Sequence, residues 1–207
     1  MSVKLIKPAN RRDSVELHKY DERSLSKRSY EEFAYVLDHL PHGRQSSRFI
    51  TGPTVQVVGE TYFTLLDVEL KIGATVSIQE RVYIGKNRRE KINRIIGRIS
   101  YNDLTESAKV ELISVIEILI INNEEKFIDF FNRTQPITHR MHSLELLPGV
   151  GKKLMWQILN ERERKPFYNY KDLQERTALA DPIKIIAKRI VEELIGNSKY
   201  KLFVKMG

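Results

Sequence analysis

The segment Leu144-Glu-Leu-Leu-Pro-Gly-Val-Gly-Lys-Lys-Leu-Met-Trp-Gln-Ile-Leu159 sets a proline and two glycines between two runs with apolar patterning. Pro148 has no backbone N–H and pushes Leu147 out of helical geometry, so a helix arriving from the N-terminal side must stop there. Gly149 and Gly151 accept backbone angles that most residues resist, and neither has a side chain to obstruct an approaching group. A second helix starting after them presents unpaired N–H groups at the positive end of its dipole, an anion site made of backbone. Lys152 and Lys153 add full charges beside it. Leu154, Ile158 and Leu159 lie on a face that can pack back onto Leu144 and Leu147. The expected structure is two short helices joined by a tight hairpin.

Such an arrangement resembles the helix-hairpin-helix motif, whose glycine-rich hairpin grips a phosphate of DNA or RNA. A Pro-Gly-x-Gly string alone is only a turn; the apolar frame on both sides and the two lysines make this one a phosphate site. Contact of this kind goes to the sugar-phosphate backbone and positions a protein without reading sequence.

Charge agrees with that reading. The chain of 207 residues is 41% hydrophobic and 30% charged, with a net charge of +8 and a pI near 9.5, a balance that favours polyanions or an anionic membrane face. With 0 cysteines, disulfides, thiolate zinc sites and iron–sulfur clusters are excluded. Residues 1–23 are polar and charged with no apolar signal core, and the most apolar run, Ile118-Leu-Ile-Ile121, is far too short to span a bilayer, so a cytoplasmic address is expected. Abundant Ile, Lys and Glu without Cys lean toward a thermophile.

Residues 1–28 are charged and aperiodic and are expected to form an arm. Residues 30–40 predict a helix with Phe33, Val36, Leu37 and Leu40 on one face, ended by Pro41 and Gly43, with a loop over 44–48. From Pro53 the pattern changes to strands, over 55–58, 62–70, 75–84 and 94–100, with turns at Gly59-Glu60 and Gly73. Several short strands with turns between them suggest a small OB-like barrel over 29–104, the predicted helix leading it. The segment Gly85-Lys-Asn-Arg-Arg-Glu-Lys-Ile-Asn-Arg94 carries five basic residues, Lys86, Arg88, Arg89, Lys91 and Arg94, and one acid. A charge run of this kind is either a solvated loop or, on a barrel, a second phosphate-contacting patch. Tyr62, Phe63, Tyr83 and Tyr101 offer stacking surfaces, although Phe63 reads as core.

Residues 105–137 read as connecting helices, with Thr105 as cap and Val110, Ile113, Ile116, Leu119 and Ile120 as a broad apolar face that Phe127, Ile128, Phe130 and Phe131 continue. Residues 138–199 read as the helix-hairpin-helix domain with a degenerate second copy. That copy has no glycines at its turn, and Asp181 would repel phosphate; Asp181 and Pro182 read as an ordinary cap and first helical residue, with Gly196 as the stop. Residues 200–207 predict a last strand returning to the barrel. The fold class is α+β: a small OB-like β-barrel followed by an all-helical helix-hairpin-helix domain.

Five strings carry a wider resemblance: Ala34-Tyr-Val-Leu-Asp-His-Leu-Pro-His-Gly43, Gly59-Glu-Thr-Tyr-Phe-Thr-Leu-Leu66, Glu80-Arg-Val-Tyr-Ile-Gly-Lys86, Phe130-Phe-Asn132 and His142-Ser-Leu-Glu-Leu-Leu-Pro-Gly-Val-Gly-Lys-Lys153. Through them, from about residue 30 to residue 204, the chain resembles an uncharacterised archaeal family of predicted nucleic-acid-binding proteins, grouped as a domain of unknown function. The resemblance implies an OB-like barrel with a helix-hairpin-helix domain and a connection to RNA or translation. It implies no activity.

Enzyme readings fit less well. In glycosylases built on this hairpin, a lysine of the second helix forms an imine with an aspartate as partner. Lys153 and Asp172 stand near those places, but Tyr170-Lys-Asp-Leu173 does not resemble that site, nor does a barrel resemble the all-helical glycosylase body. Glu163-Arg-Lys165 resembles a nuclease core but lacks the later aspartate, position 169 being Asn, and Asp67 lies too close to Glu69-Leu-Lys71 for a metal-dependent nuclease. The histidine pairs His39/His42 and His139/His142 lack carboxylate or cysteine partners. The resulting expectation is a non-enzymatic protein that binds RNA or DNA, with no cofactor, metal or membrane, holding a phosphate on the amides of Gly149, Val150 and Gly151 beside Lys152 and Lys153. The alternatives are a repair enzyme of the glycosylase or nuclease type, or a basic assembly protein docking an acidic partner. Counterion release gives nucleic-acid binding a steep salt dependence that separates these classes.

Overall fold

A computed structural model describes residues 30–43, 52–196 and 198–205. The expected arm over 1–28 and the loop over 44–48 lie outside the described residues. Runs rich in aliphatic residues form five strands: β1 (Phe33–Leu40), β2 (Thr54–Gly59), β3 (Leu65–Leu70), β4 (Arg81–Tyr83) and β5 (Ile92–Arg98). Their order is β4-β1-β2-β3-β5, and every ladder is antiparallel. The sheet curls into a half-barrel. No ladder among the described residues joins β4 to β5, so the barrel expected from the strand pattern is left open along one seam.

Both faces of the three central strands, β1, β2 and β3, are largely buried. Ala34, Val36, Val57, Leu66, Val68, Val82 and Ile92 fill the concave side. Tyr35, Leu37, Val58 and Leu65 face the other way, into the helices. Double burial explains why residues 30–40 form a strand where their spacing predicts a helix. Alternate residues serve two different cores, so Phe33–Leu37 is apolar throughout and its period of two is masked. The third predicted strand shrinks to β4, with residues 75–80 irregular and Gln79 at a φ of 64°.

The Glu31 carboxylate shapes the β2–β3 turn. It accepts the N–H groups of Thr61, Tyr62 and Thr64 at 2.9, 2.9 and 3.1 Å, and the turn holds Phe63 buried at a φ of 58°. Gly59 makes room for this carboxylate, since a Cβ there would lie 2.1 Å from Glu31 Cδ.

Five helices follow: α1 (Glu106–Asn122), α2 (Glu124–Arg133), then, after a ribbon of β6 (Pro136–Thr138) and β7 (Met141–His142), α3 (Lys152–Arg164), α4 (Tyr170–Arg176) and α5 (Pro182–Ile195). Thr105 caps α1, its Oγ1 accepting from Ala108 N–H at 3.0 Å and donating to Asp38 on β1 at 2.5 Å. Buried Gln56 of β2 accepts Thr105 N–H at 2.9 Å and donates to the Asp103 carbonyl at 3.1 Å. The start of α1 is therefore pinned to two strands. Its inward face is Ala108, Leu112, Val115, Ile116, Leu119 and Ile120, against β1 and α5. Val110 and Ile113, expected on that face, are 73% and 49% exposed, because the pinned start rotates the 108/112/116 stripe onto the sheet instead. Phe127, Ile128 and Phe131 are buried as expected, with Phe130 at the margin. One continuous cluster joins the convex sheet face to all five helices.

The predicted C-terminal strand is absent from the described residues. The Glu193 carboxylate on α5, 0% exposed, accepts Arg189 Nε at 2.8 Å and the N–H groups of Leu202, Phe203 and Val204 at 2.7, 3.0 and 2.9 Å. Donors that a ladder would use are consumed by one buried carboxylate, and Phe203 packs on Phe127 and Phe130 rather than on the sheet. Glu193→Ala strands three amides and takes from Arg189 its buried partner, leaving it only Glu192 and the Tyr200 carbonyl, so urea denaturation should show a loss of about 3–5 kcal/mol. Hydrogen exchange at residues 202–204 should accelerate with it.

Candidate nucleic-acid interface

Leu147-Pro148-Gly149-Val150 is a tight turn closed by Val150 N–H on the Leu147 carbonyl at 3.0 Å, with Gly149 at a φ of 81°. Pro148 supplies the fixed φ of the second position and Gly149 the positive φ of the third, as a type II turn requires. Before the turn, the expected first helix is only a 3-10 turn, Ser143–Leu146. His142 starts it, its imidazole Nδ1 accepting Leu144 N–H at 3.1 Å while its backbone N–H donates to the Glu145 carboxylate at 2.8 Å. After the turn, Val150 and Met155 are both buried, in the N′ and N4 positions of a hydrophobic staple around the α3 N-cap, Gly151. Leu144, Leu147, Ile158 and Leu159 fill the space behind them.

One predicted donor is thereby lost. The Val150 amide, expected to bind phosphate, is spent inside the turn, because closing a type II turn takes the N–H of its fourth residue. The first turn of α3 remains open. Gly151 provides no side-chain cap, no acid stands in that turn, and Lys152 and Lys153 occupy the first two helical positions, both exposed. Other helices are closed off at this end. Side chains of Thr105, Asn169 and Asp181 cap α1, α4 and α5, and Glu124 and Glu125 stand at the start of α2. A Cβ at Gly149 or Gly151 would meet nothing within 4 Å, and Gly151 has an ordinary φ of −83°. Nothing in the fold demands glycine at 151. Trp156, four residues after Lys152 on the outward face of α3, is 59% exposed. Its place is legible in hindsight, opposite the inward Met155, Ile158 and Leu159.

The basic run over 86–94 does not form one free patch. Lys91 Nζ pairs with Glu80 at 2.6 Å, and Arg94 Nε pairs with Glu69 across the β3–β5 ladder. The Lys91 bond and Ser77 N–H hold the Glu80 carboxyl below its usual range. Arg89 turns its Nε inward onto the Ile84 and Gly85 carbonyls at 3.0 and 2.8 Å. Lys86 lies 4.8 Å over the Tyr30 ring, and Arg88 points into solvent. Lys86 and Arg89 line a cleft of about 870 Å³ at the open seam of the half-barrel, together with Tyr83. Phe63 is core, as expected.

Asp172, weighed as the partner of Lys153, is engaged locally. Asp172 accepts Tyr168 N–H and Arg176 Nη1, each at 3.1 Å, within the start of α4. Among the described residues no three His, Asp or Glu side chains gather around a metal-sized space, and no helix is long and apolar enough to cross a membrane.

Residues 30–205 match the family described as protein of unknown function DUF655. The chain belongs to this family. It is 44% identical over 178 residues to the uncharacterised protein MJ0038 of Methanocaldococcus jannaschii, covering 85% of this chain and 81% of that one. The crystal structure of Af1531 from Archaeoglobus fulgidus, also assigned to DUF655, is 46% identical, covers 84% of this chain and 100% of its own, and superposes with a TM-score of 0.78. The archaeal family that the five strings resemble is thus DUF655, and the Af1531 structure shares this fold.

His142 gives the hairpin a pH dependence. Burial, and then the nearby Arg162 charge, hold its imidazole below the ordinary 6.5. As pH falls through 6.5 the unfolded chain takes up a proton that the folded chain refuses, so stability declines until the lower folded pKa is reached. His142→Gln should lose less stability than the natural protein between about pH 7 and pH 5, measured as the difference between their thermal melts.

Proposed function

We propose that this DUF655 protein binds nucleic acid without catalysing a reaction, gripping the sugar-phosphate backbone at the start of α3. The observation carrying this reading is the open first turn of α3, uncapped, free of acids, flanked by two exposed lysines and entered past two glycines whose missing side chains would fill only solvent. A phosphate there accepts from the amides of Gly151, Lys152 and Lys153 and is neutralised by the lysine side chains. The net charge of +8 favours a polyanion in the cytoplasm, and the half-barrel acts as an OB-like platform for a second, weaker contact through Lys86, Arg88 and Arg89. Two weak contacts on one rigid body reinforce each other through effective concentration.

Gly151→Asp separates function from folding. Aspartate caps helices at least as well as glycine, so the melting temperature should hold or rise slightly, while its carboxylate enters the phosphate position. Fluorescence anisotropy at about 0.1 M salt should show affinity for RNA or DNA falling about tenfold or more, and Lys153→Ala should flatten the slope of log affinity against log salt by about one. A folded Gly151→Asp protein with full affinity contradicts the proposal.

A further inference from the structure

Since β1 and β3 each run antiparallel to their neighbours, β4 and β5, the two edges of the sheet, run in the same direction with no ladder between them. The cleft of about 870 Å³ lies along this seam, within the ~300–1,000 Å³ range of small-ligand sites. Its chemistry is mixed in a specific way. Leu66, Ile84 and Ile95 give it an apolar floor. Tyr30 is 58% exposed and offers a ring face, and Tyr83, packed on Gly85 and in T-shaped contact with Phe33, lines the wall beside it. Arg89 is preorganised: two backbone carbonyls fix its Nε, and no acceptor among the described residues takes its terminal Nη groups. Lys86 Nζ lies over one face of the Tyr30 ring, 4.8 Å from its centroid, which leaves the opposite face for a ligand. Two carboxylates line the cleft: Glu31 is already spent on three backbone amides, and Glu32 is exposed to solvent. Thr64, 92% buried by its exposure of 8%, lines the same space and its hydroxyl has no hydrogen-bond partner.

An aromatic wall, an apolar floor and a fixed guanidinium suit a flat, hydrogen-bonding ring attached to an anion. We propose that the cleft holds one unpaired nucleotide, its base against Tyr30 and Tyr83 and its phosphate on Arg89 and Lys86. A base paired inside a duplex cannot present its face to a tyrosine, so the cleft selects unpaired nucleotides, whether free or in a single strand. The proposal extends the nucleic-acid reading above, and its test does not depend on the hairpin.

The full chain and its Tyr30→Ala, Arg89→Gln and Gly151→Asp variants are titrated with AMP, inorganic phosphate, a short oligoadenylate and a blunt duplex, with the amide resonances of Gly85, Lys86, Asn87 and Gly97 as readout alongside anisotropy. AMP should move those resonances and phosphate should not. Tyr30→Ala and Arg89→Gln should each weaken AMP and oligoadenylate about tenfold and leave duplex affinity within about twofold. Tyr30 is exposed enough that its variant keeps the fold. Gly151→Asp should do the reverse, sparing AMP and losing the duplex; if it keeps the duplex, the hairpin reading fails while the cleft stands. Oligoadenylate binding about tenfold tighter than AMP assigns the nucleotide to a strand, and equal affinities assign it to the free pool. The proposal is overturned if phosphate alone reproduces the AMP shifts, or if both cleft variants bind AMP and oligoadenylate as the natural protein does.

Discussion

Helix α1 is the piece on which the sheet and the helices close together. Its first turn is locked by a short polar chain, Asp38 to Thr105 to Gln56 to the Asp103 carbonyl, that spans two strands and the approach to the helix. These groups are largely withdrawn from water, so leaving one unpaired costs more than the bond itself contributes. With the start fixed, the rotation of α1 is fixed too, and its Ala108–Leu112–Ile116 stripe must meet β1 while α5 packs alongside. The hairpin inherits its position from this packing, since Leu144, Leu147 and Val150 belong to the same cluster.

A division of labour follows along the chain. Buried carboxylates do structural work: Glu31 folds the β2–β3 turn, and Glu193 fastens the last residues. Many exposed cations are neutralised locally, Lys91 by Glu80 and Arg94 by Glu69. Among the described cations without a carboxylate partner, Lys152 and Lys153 on α3 and Lys86 and Arg89 in the cleft lie beside the two features least explained by folding: an uncapped helix start and an open seam.

Local backbone chemistry was the legible part of this sequence. The Pro148-Gly149 turn, the Thr105, Asp181 and Pro182 helix starts and the Gly196 stop each depend on residues within a few positions of one another. What escaped depends on distant partners. Phe33, Val36, Leu37 and Leu40 fit a helical period, and only the existence of two cores, one on each side of β1, makes them a strand. Isoleucines surround α1 on most sides, so periodicity could not orient it. Arg94 gave no sign that Glu69, 25 residues away, would take its charge. The Val150 amide failed for a subtler reason: the glycine-rich turn that exposes its neighbours closes on Val150 itself.

The central claim is that backbone amides at the start of α3 hold a phosphate. Amide-resolved NMR titration of the labelled protein with a short nucleic-acid duplex tests it most directly. The Gly151, Lys152 and Lys153 resonances should move together and saturate with the binding isotherm, while Val150, tied to Leu147, moves far less. A duplex that binds and leaves all three amides in place would contradict it.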